Sequence, residues 1–373
     1  MSSLTAAVGH KRITSMGIVG RVVSYIVFVG WGLLTILPLI WMFYSSFKSN
    51  EELVMDIFAP PHALFDNMND QYVVIPPSLN VIPPYDPAVD TRPRLIIEST
   101  TIAPTRRLMV FHLLKEDLPP EIANRQPGDS VFVYELPPAM RRQVSWQTIW
   151  FNYRSAIQRG QLGIKFFNSV IYASVSTFLV IIVSTMISFA VSKMGFKWLS
   201  RIIIGLVGLG YLISINSLII PLFLMLSSFG LTDTRIGIIL VYTAFGVPLA
   251  VMLCQQFMRG LPDSLLESAY MDGANTFRVY RSIIMPMSIP VIVTVSIISA
   301  LGVWNEFLLC LVLTSSQNTL SLPVGVFSFS SLTSTQLGWQ LAALSIATLP
   351  VMIVYFIFNR RLSQGVVAGA VKE

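Results

Sequence analysis

Charge is scarce in this chain. Asp, Glu, Lys and Arg make up only 12% of its 373 residues, about half the share of a soluble domain. With 54% hydrophobic residues and a mean hydropathy of +0.68, a soluble fold of this length is excluded and an integral membrane protein is expected. Cysteine is nearly absent: Cys254 and Cys310 both sit in apolar stretches, which supports neither a disulfide framework nor a thiolate metal site. Three histidines, His10, His62 and His112, are scattered without ligand spacing, so no metal centre is expected. No Gly-x-x-x-x-Gly-Lys-Ser/Thr sequence occurs. The chain therefore has no phosphate-cradling loop with which to bind ATP itself. No nucleophile and base stand in a recognisable constellation either, so catalysis is not expected.

What the chain does have is long apolar runs. The first covers roughly 22–44, and others follow near 167–191, 202–226, 236–257, 289–313 and 339–358. At 1.5 Å per residue each is long enough for a hydrocarbon core of ~30 Å. The expected fold class is thus an all-α membrane protein of six transmembrane helices. The first run is too long for a signal peptide and no small-residue cleavage site follows it, so it is expected to remain as a span. Lys11, Arg12, Lys193, Lys197, Arg201, Arg259, Arg278, Arg281, Arg360 and Arg361 all fall on one side of such a bundle, whereas the opposite short loops hold only Arg235. Positive charge marks the cytoplasmic side, which places both termini there. The net charge of +6 has the same origin, so it argues for a lipid surface and not for nucleic acid.

Composition divides the chain into a polar start at 1–21, a first span at 22–47, an extracytoplasmic insertion at 48–145, the remaining spans at 146–358 and a tail at 359–373. The insertion is rich in proline and holds most of the acidic residues. Within it, 71–75, 94–98, 107–111 and 130–134 are short β-branched and aromatic runs bounded by Pro, Asn, Asp or Gly. They predict a β-rich domain inserted between the first two helices.

Residues 258–287 form a more polar island between two apolar runs and predict a helical hairpin. Pro262 suits a first helical turn and Asp263 the positive end of its dipole. Leu265, Leu266, Ala269 and Tyr270 share a face, Gly273 ends the helix, and Asp272 or Asn275 caps the next. Pro286 is expected to stop that second helix. The order Glu267-Ser268-Ala269, Asp272-Gly273-Ala274, then Ile283 and Met285-Pro286 resembles the EAA loop of the permease subunits of ABC importers. That motif reads E-A-A, two residues, D-G-A, eight residues, I-x-L-P, and the chain departs from it at Ser268 and Met285, both small changes.

The fifth apolar run contains Trp304-Asn305-Glu306-Phe307, and Glu306 is the one formal charge within any expected span. A charge there costs at least ~2.5–3.5 kcal/mol, so it faces a water-filled path or a polar partner. Asn305 and Glu306 are accordingly candidates for the substrate path. A hydrogen bond tying two helices together is the structural alternative. This stretch, the run from Thr319 to Gly325, and the glycine-rich tail near Gly365 and Gly369 resemble the sugar-importing, MalG-like branch of those permeases.

The resemblance covers 22–50 and 145–373 and implies a role. This chain would form the transmembrane path for a carbohydrate-type solute in an ATP-driven importer of the cell (inner) membrane. Partners implied are a second homologous permease, a dimeric cytoplasmic ATPase that binds the ATP, and an extracytoplasmic solute-binding protein. Glu267, Ser268, Ala269, Asp272, Gly273, Ala274, Ile283 and Pro286 would couple it to the ATPase. The alternatives are a non-sugar solute, an ion-coupled carrier, or a membrane scaffold.

Overall fold

The computed structural model describes residues 18–48, 50–61, 64, 72–74, 94–99, 107–112, 130–132, 138, 142, 146, 149–329 and 337–370. Most of the expected polar start, most of the insertion and the last three residues of the tail lie outside these.

Among the described residues, four helices are long and apolar enough to cross a membrane unbroken: α1 (Ile18–Ser45), α4 (Leu162–Lys193), α7 (Arg235–Arg259) and α14 (Leu337–Ala370). Between α1 and α4 lie two short helices, α2 (Asn50–Met55) and α3 (Phe151–Arg159). The other two expected spans are not single helices, which corrects the sequence reading. The run at 202–226 is a pair, α5 (Lys197–Leu212) and α6 (Ile215–Ser228), bent by 101°. These helices have 16 and 14 residues, ~24 and ~21 Å, so neither crosses ~30 Å alone. The break falls at Ile213 and Ser214, both in extended conformation. Hydropathy runs through such a break without a mark, because both halves are apolar.

The second bent pair joins the hairpin to the run at 289–313. Here α9 (Thr276–Val279), a π turn (Tyr280–Ile284) and α10 (Met285–Met287) lead at 75° into α11 (Ile289–Trp304). Pro286 therefore does not stop the helix. The π turn directly ahead of it widens the ladder, with Met285 N–H bonded to the Tyr280 carbonyl, and accommodates a residue that has no N–H to offer. The bend itself comes two residues later at Ser288. Beyond Trp304 the same run breaks again before α12 (Leu308–Leu313), and α13 (Leu322–Phe327) follows.

The inserted segment is also corrected. Its described strands, β1 (Tyr72–Val74), β2 (Arg94–Ser99), β3 (Arg107–His112) and β4 (Ser130–Phe132), lie within or next to the four runs read from the sequence. They form two separate two-stranded antiparallel ladders, Tyr72 opposite Phe132 and Arg94 opposite His112. A β-rich domain is not seen among the described residues, where the architecture is overwhelmingly helical. Two-stranded ladders are marginal on their own, and three or more strands are the usual minimum for an independent unit.

The base of the insertion is tied firmly to the helices. Asn152 Nδ2 on α3 donates to the carbonyls of Ser46 (2.8 Å) and Lys48 (2.7 Å). The Ser46 hydroxyl meets Tyr153 OH at 2.7 Å, and Gly338 N–H at the start of α14 donates to Asn50 Oδ1 at 2.9 Å. Lys48 is buried, and its Nζ donates to the carbonyls of Asp56 and Ile57. Burial lowers its pKa, against the opposing pull of Asp56 and Glu52.

The centre of the bundle is the contact of α4 with α7. Small and hydroxyl side chains let the two backbones approach, as is usual between membrane helices. A Cβ on Gly246 would come within 2.7 Å of Val180 Cγ2. Ser188 Oγ donates to the Val251 carbonyl at 3.1 Å. By contrast, the apolar residues of α1 are largely exposed, which fits a lipid-facing helix at the rim.

Candidate functional site

The hairpin is a surface feature with a buried root. Helix α8 (Ser264–Met271) and the α9–α10 segment each bury part of their apolar residues and expose the rest. Leu266, Ala269, Val279 and Ile284 are buried in one cluster with Ala250, Cys254 and Met258 of α7 and Val291 and Val295 of α11. Leu265 and Tyr270, expected on that inner face, are instead 38% and 44% exposed, Phe277 is 63% exposed and Met271 87%. The inner stripe is thus narrower than sequence periodicity implied, and the tip presents apolar side chains to whatever lies beyond the chain.

The turn itself is held by the backbone. Gly273 has φ +79°, and a Cβ there would meet nothing within 4 Å. Its requirement is therefore conformational and not steric. Ala274 N–H donates back to the Ala269 carbonyl at 2.9 Å. Asn275 caps α9, accepting from Arg278 N–H at 2.8 Å, as one of the two expected caps. Asp263 does not cap α8 with its side chain. It pairs with Lys193 at the end of α4, Nζ to Oδ1 2.6 Å, and the same Nζ donates to the Leu261 carbonyl at 2.6 Å. The lysine side chain is 3% exposed and the aspartate 77%. A second tie from α4 runs between Thr185 Oγ1 and Tyr280 OH at 2.9 Å. Glu267, Ser268, Asp272 and Pro286 are exposed, Ala269 is buried, and Ala274 and Ile283 are half-buried. Glu267 forms no ion pair with any described residue, and lies in the first turn of α8, where a carboxylate favours the dipole.

At the far end of α11, Asn305, Glu306 and Phe307 form the break before α12. Glu306 is fully engaged. Its Oε1 accepts from Leu309 N–H (2.8 Å), and its Oε2 accepts from Tyr242 OH (2.7 Å) and Cys310 N–H (3.3 Å). One carboxylate thus caps α12 and ties it to α7. This is the helix-tying alternative in atomic form. Beside it lies a largely apolar cavity of about 280 Å³ among α4, α5, α7 and α11. Asn305 is exposed and donates only to the Leu301 carbonyl, at 3.0 Å.

On the same end of the bundle, a polar knot closes the loops. Asp233, with φ +55°, accepts from the N–H groups of Ser315 and Ser316 and from the hydroxyls of Ser316 and Thr319. Those donors, the Thr319 hydroxyl first, hold its carboxyl well below the usual aspartate range despite partial desolvation. Asn168 Nδ2 donates to the carbonyls of Asn318 and Leu320, and Arg235 Nε donates to Asn168 Oδ1.

Residues 185–368, which contain both the hairpin and the break, match the family described as the binding-protein-dependent transport system inner membrane component. The diacetylchitobiose uptake system permease protein NgcG of Streptomyces coelicolor is 33% identical over 220 residues, 58% of this chain and 72% of that protein. The trehalose transport system permease protein SugB of Mycobacterium tuberculosis is 32% identical over 223 residues, 59% of this chain and 81% of that protein. The chain belongs to this family. As a multi-pass membrane permease it also shares its fold with a chain of a bacterial ABC transporter that imports the acidic polysaccharide alginate. The TM-score is 0.59 at 15% identity, covering 92% of this chain and 96% of that one.

Sequence reading of the permease missed Lys193, Thr185 and Asp233. Lys193 was read only as a topological charge, since its pairing with a residue 70 positions away leaves no local signature. Lys165, twenty residues past the expected end of the insertion, is buried inside α4 with its Nζ on the Gly160 carbonyl at 2.8 Å.

Proposed function

We propose that this permease carries a carbohydrate-type solute across the cytoplasmic membrane in an ATP-driven importer, with the hairpin as its point of attachment to a separate ATPase. The observation that carries this is the two-sided hairpin. Its root shares a hydrophobic cluster with α7 and α11, and its tip exposes Met271, Phe277 and Glu267. A displacement imposed on the tip is transmitted to the spans because the root cannot slip in a close-packed cluster. Glu267, Ser268, Asp272 and Gly273 face the ATPase on this reading. Ala269, Ala274, Ile283 and Pro286 shape and seat the turn. The carbohydrate class is supported by the sugar systems of the two relatives.

The working complex on this reading contains a second homologous permease, two ATPase copies that bind the ATP, and an extracytoplasmic solute-binding protein. Gentle-detergent purification from the native membrane tests it, comparing the natural chain with a Glu267→Ala, Gly273→Asp double variant. Recovery of an ATPase and a second permease with the former, and loss of the ATPase with the latter, is the expected result. Recovery of the natural chain alone would sink the proposal in favour of a self-sufficient carrier or a scaffold.

A further inference from the structure

The two faces of the α11 break differ in what their polar groups have to do. On one face Glu306 is saturated by Tyr242, Leu309 and Cys310. On the other a pocket of about 420 Å³ opens between the break, α13 and α14, within the ~300–1,000 Å³ of small-molecule sites. Asn305, Gln340 and Thr348 supply its polar groups, and Trp304, Phe307 and Phe327 its aromatic wall. No charged side chain is among the described residues that line it.

These polar groups come from separate parts of the chain and converge. Asn305 follows the 16 residues of α11, ~24 Å from that helix's start. Gln340, Leu344 and Thr348 recur every four residues along one face of α14, so the stripe extends ~12 Å along the helix. The side-chain amide of Gln340 makes no hydrogen bond to any described residue. Asn305 uses only one amide hydrogen, and Thr348 returns its hydroxyl proton to the Leu344 carbonyl at 2.8 Å. An open amide facing hydrocarbon is costly, and two at one place from two helices are costlier still. They are accommodated where this face of the break meets water, a polar solute or polar groups of a partner.

We infer that the pocket bounded by Asn305, Gln340, Thr348, Phe307 and Phe327 is a subsite on the solute path for the ring of a neutral sugar. Glu306 stands behind it as the positioning residue that holds the break. This rests on the importer reading above. The chemistry fits the class. Amides both donate to and accept from hydroxyls, and Phe307 and Phe327, in edge contact at 5.2 Å between centroids, offer an apolar wall to the C–H face of a pyranose. The missing charge disfavours anionic solutes. A lipid chain would fill an apolar cleft but leave Gln340 and Asn305 unsatisfied, and a helix of the second permease would satisfy them only with polar side chains of its own, an outcome the accessibility test separates from a solute path.

The test uses the assembled importer in nanodiscs and in proteoliposomes with its binding protein. Gln340→Cys and Thr348→Cys are labelled with a hydrophilic, trimethylammonium methanethiosulfonate, against Ile353→Cys as a control. Ile353 is 56% exposed in the chain alone and is not among the pocket's lining residues. Background is low because Cys254 and Cys310 are buried. Labelling at both pocket positions faster than the control by an order of magnitude is expected. Labelling no faster than the control would overturn the path assignment and point to a lipid or helix occupant.

Uptake of radiolabelled trehalose and diacetylchitobiose then tests the solute class. Gln340→Leu, with assembly intact, should slow uptake of the transported disaccharide roughly five- to tenfold, the effect of one or two lost hydrogen bonds. Unchanged uptake would overturn the subsite. Failure of the natural importer to move any neutral saccharide would overturn the sugar class while leaving the accessibility result to judge the path.

Discussion

The two ends of the bundle are built on different principles. At the hairpin end, a few strong ties from α4 (Lys193 to Asp263 and Leu261, Thr185 to Tyr280) hold a surface that exposes Met271 and Phe277 beside the carboxylates of Glu267 and Asp272. At the opposite end, Asp233, Asn168 and Arg235 sit in a closed network in which carboxylate, amide and guanidinium all find partners within the chain. The first end leaves surface over for another molecule. At the second, that network holds the loop between α12 and α13 in one geometry, beside the open amides of Asn305 and Gln340. A docking end needs exposed contact area on a firm root, and a scaffold end needs satisfied polar groups.

Gly273→Asp should break the hairpin end most completely. A non-glycine residue at φ +79° costs ~1–2 kcal/mol in the left-handed region, and the added charge sits on the docking face. ATP-driven uptake should be abolished with membrane insertion intact. Gly273→Asn, which carries a similar backbone cost at positive φ but adds no charge, should retain a substantial part of it. Normal uptake by Gly273→Asp would remove the contrast between the two ends.

Glu306→Ala comes next. It leaves one hydroxyl and two N–H groups without their acceptor, at ~1–3 kcal/mol for each buried donor left unsatisfied. The detergent-purified complex should lose thermal stability by several degrees, and Glu306→Gln should lose less. Lys193→Met should follow, stranding the Leu261 carbonyl and loosening the hairpin root. Transport per ATP hydrolysed should fall further than ATPase activity itself. Asp263→Asn should do less, because that carboxylate is largely exposed and screened.

Acid should sharpen the comparison from the other end. The folded-state pKa of Asp233 is depressed, so its contribution to stability is present above the ordinary aspartate value of ~3.9 and is lost as pH falls through the lower, folded value. Asp233→Asn should therefore flatten the acid limb of a stability–pH profile, with little change in the response of the hairpin end. The smallest effect is expected for Tyr280→Phe, ~0.5–1.5 kcal/mol for the single bond to Thr185, read by thermal unfolding.

Much of this was legible in the chain of residues itself. Low charge and long apolar runs decide a membrane fold because each buried charge is costly and each span needs a minimum length. The Glu267–Pro286 spacing marks the hairpin because capping, turning and seating act within a few residues of one another. Other features depended on long-range geometry. The break at 213–214 interrupts apolar sequence, so hydropathy passes over it, and among the described residues the strand runs of the insertion form two small ladders, a pairing that no single run reveals. Which face of α11 is satisfied and which is open could not be read from Asn305 and Glu306 as neighbours in sequence. Tyr242 and Gln340 decide it, and only the packing of α7 and α14 brings them there.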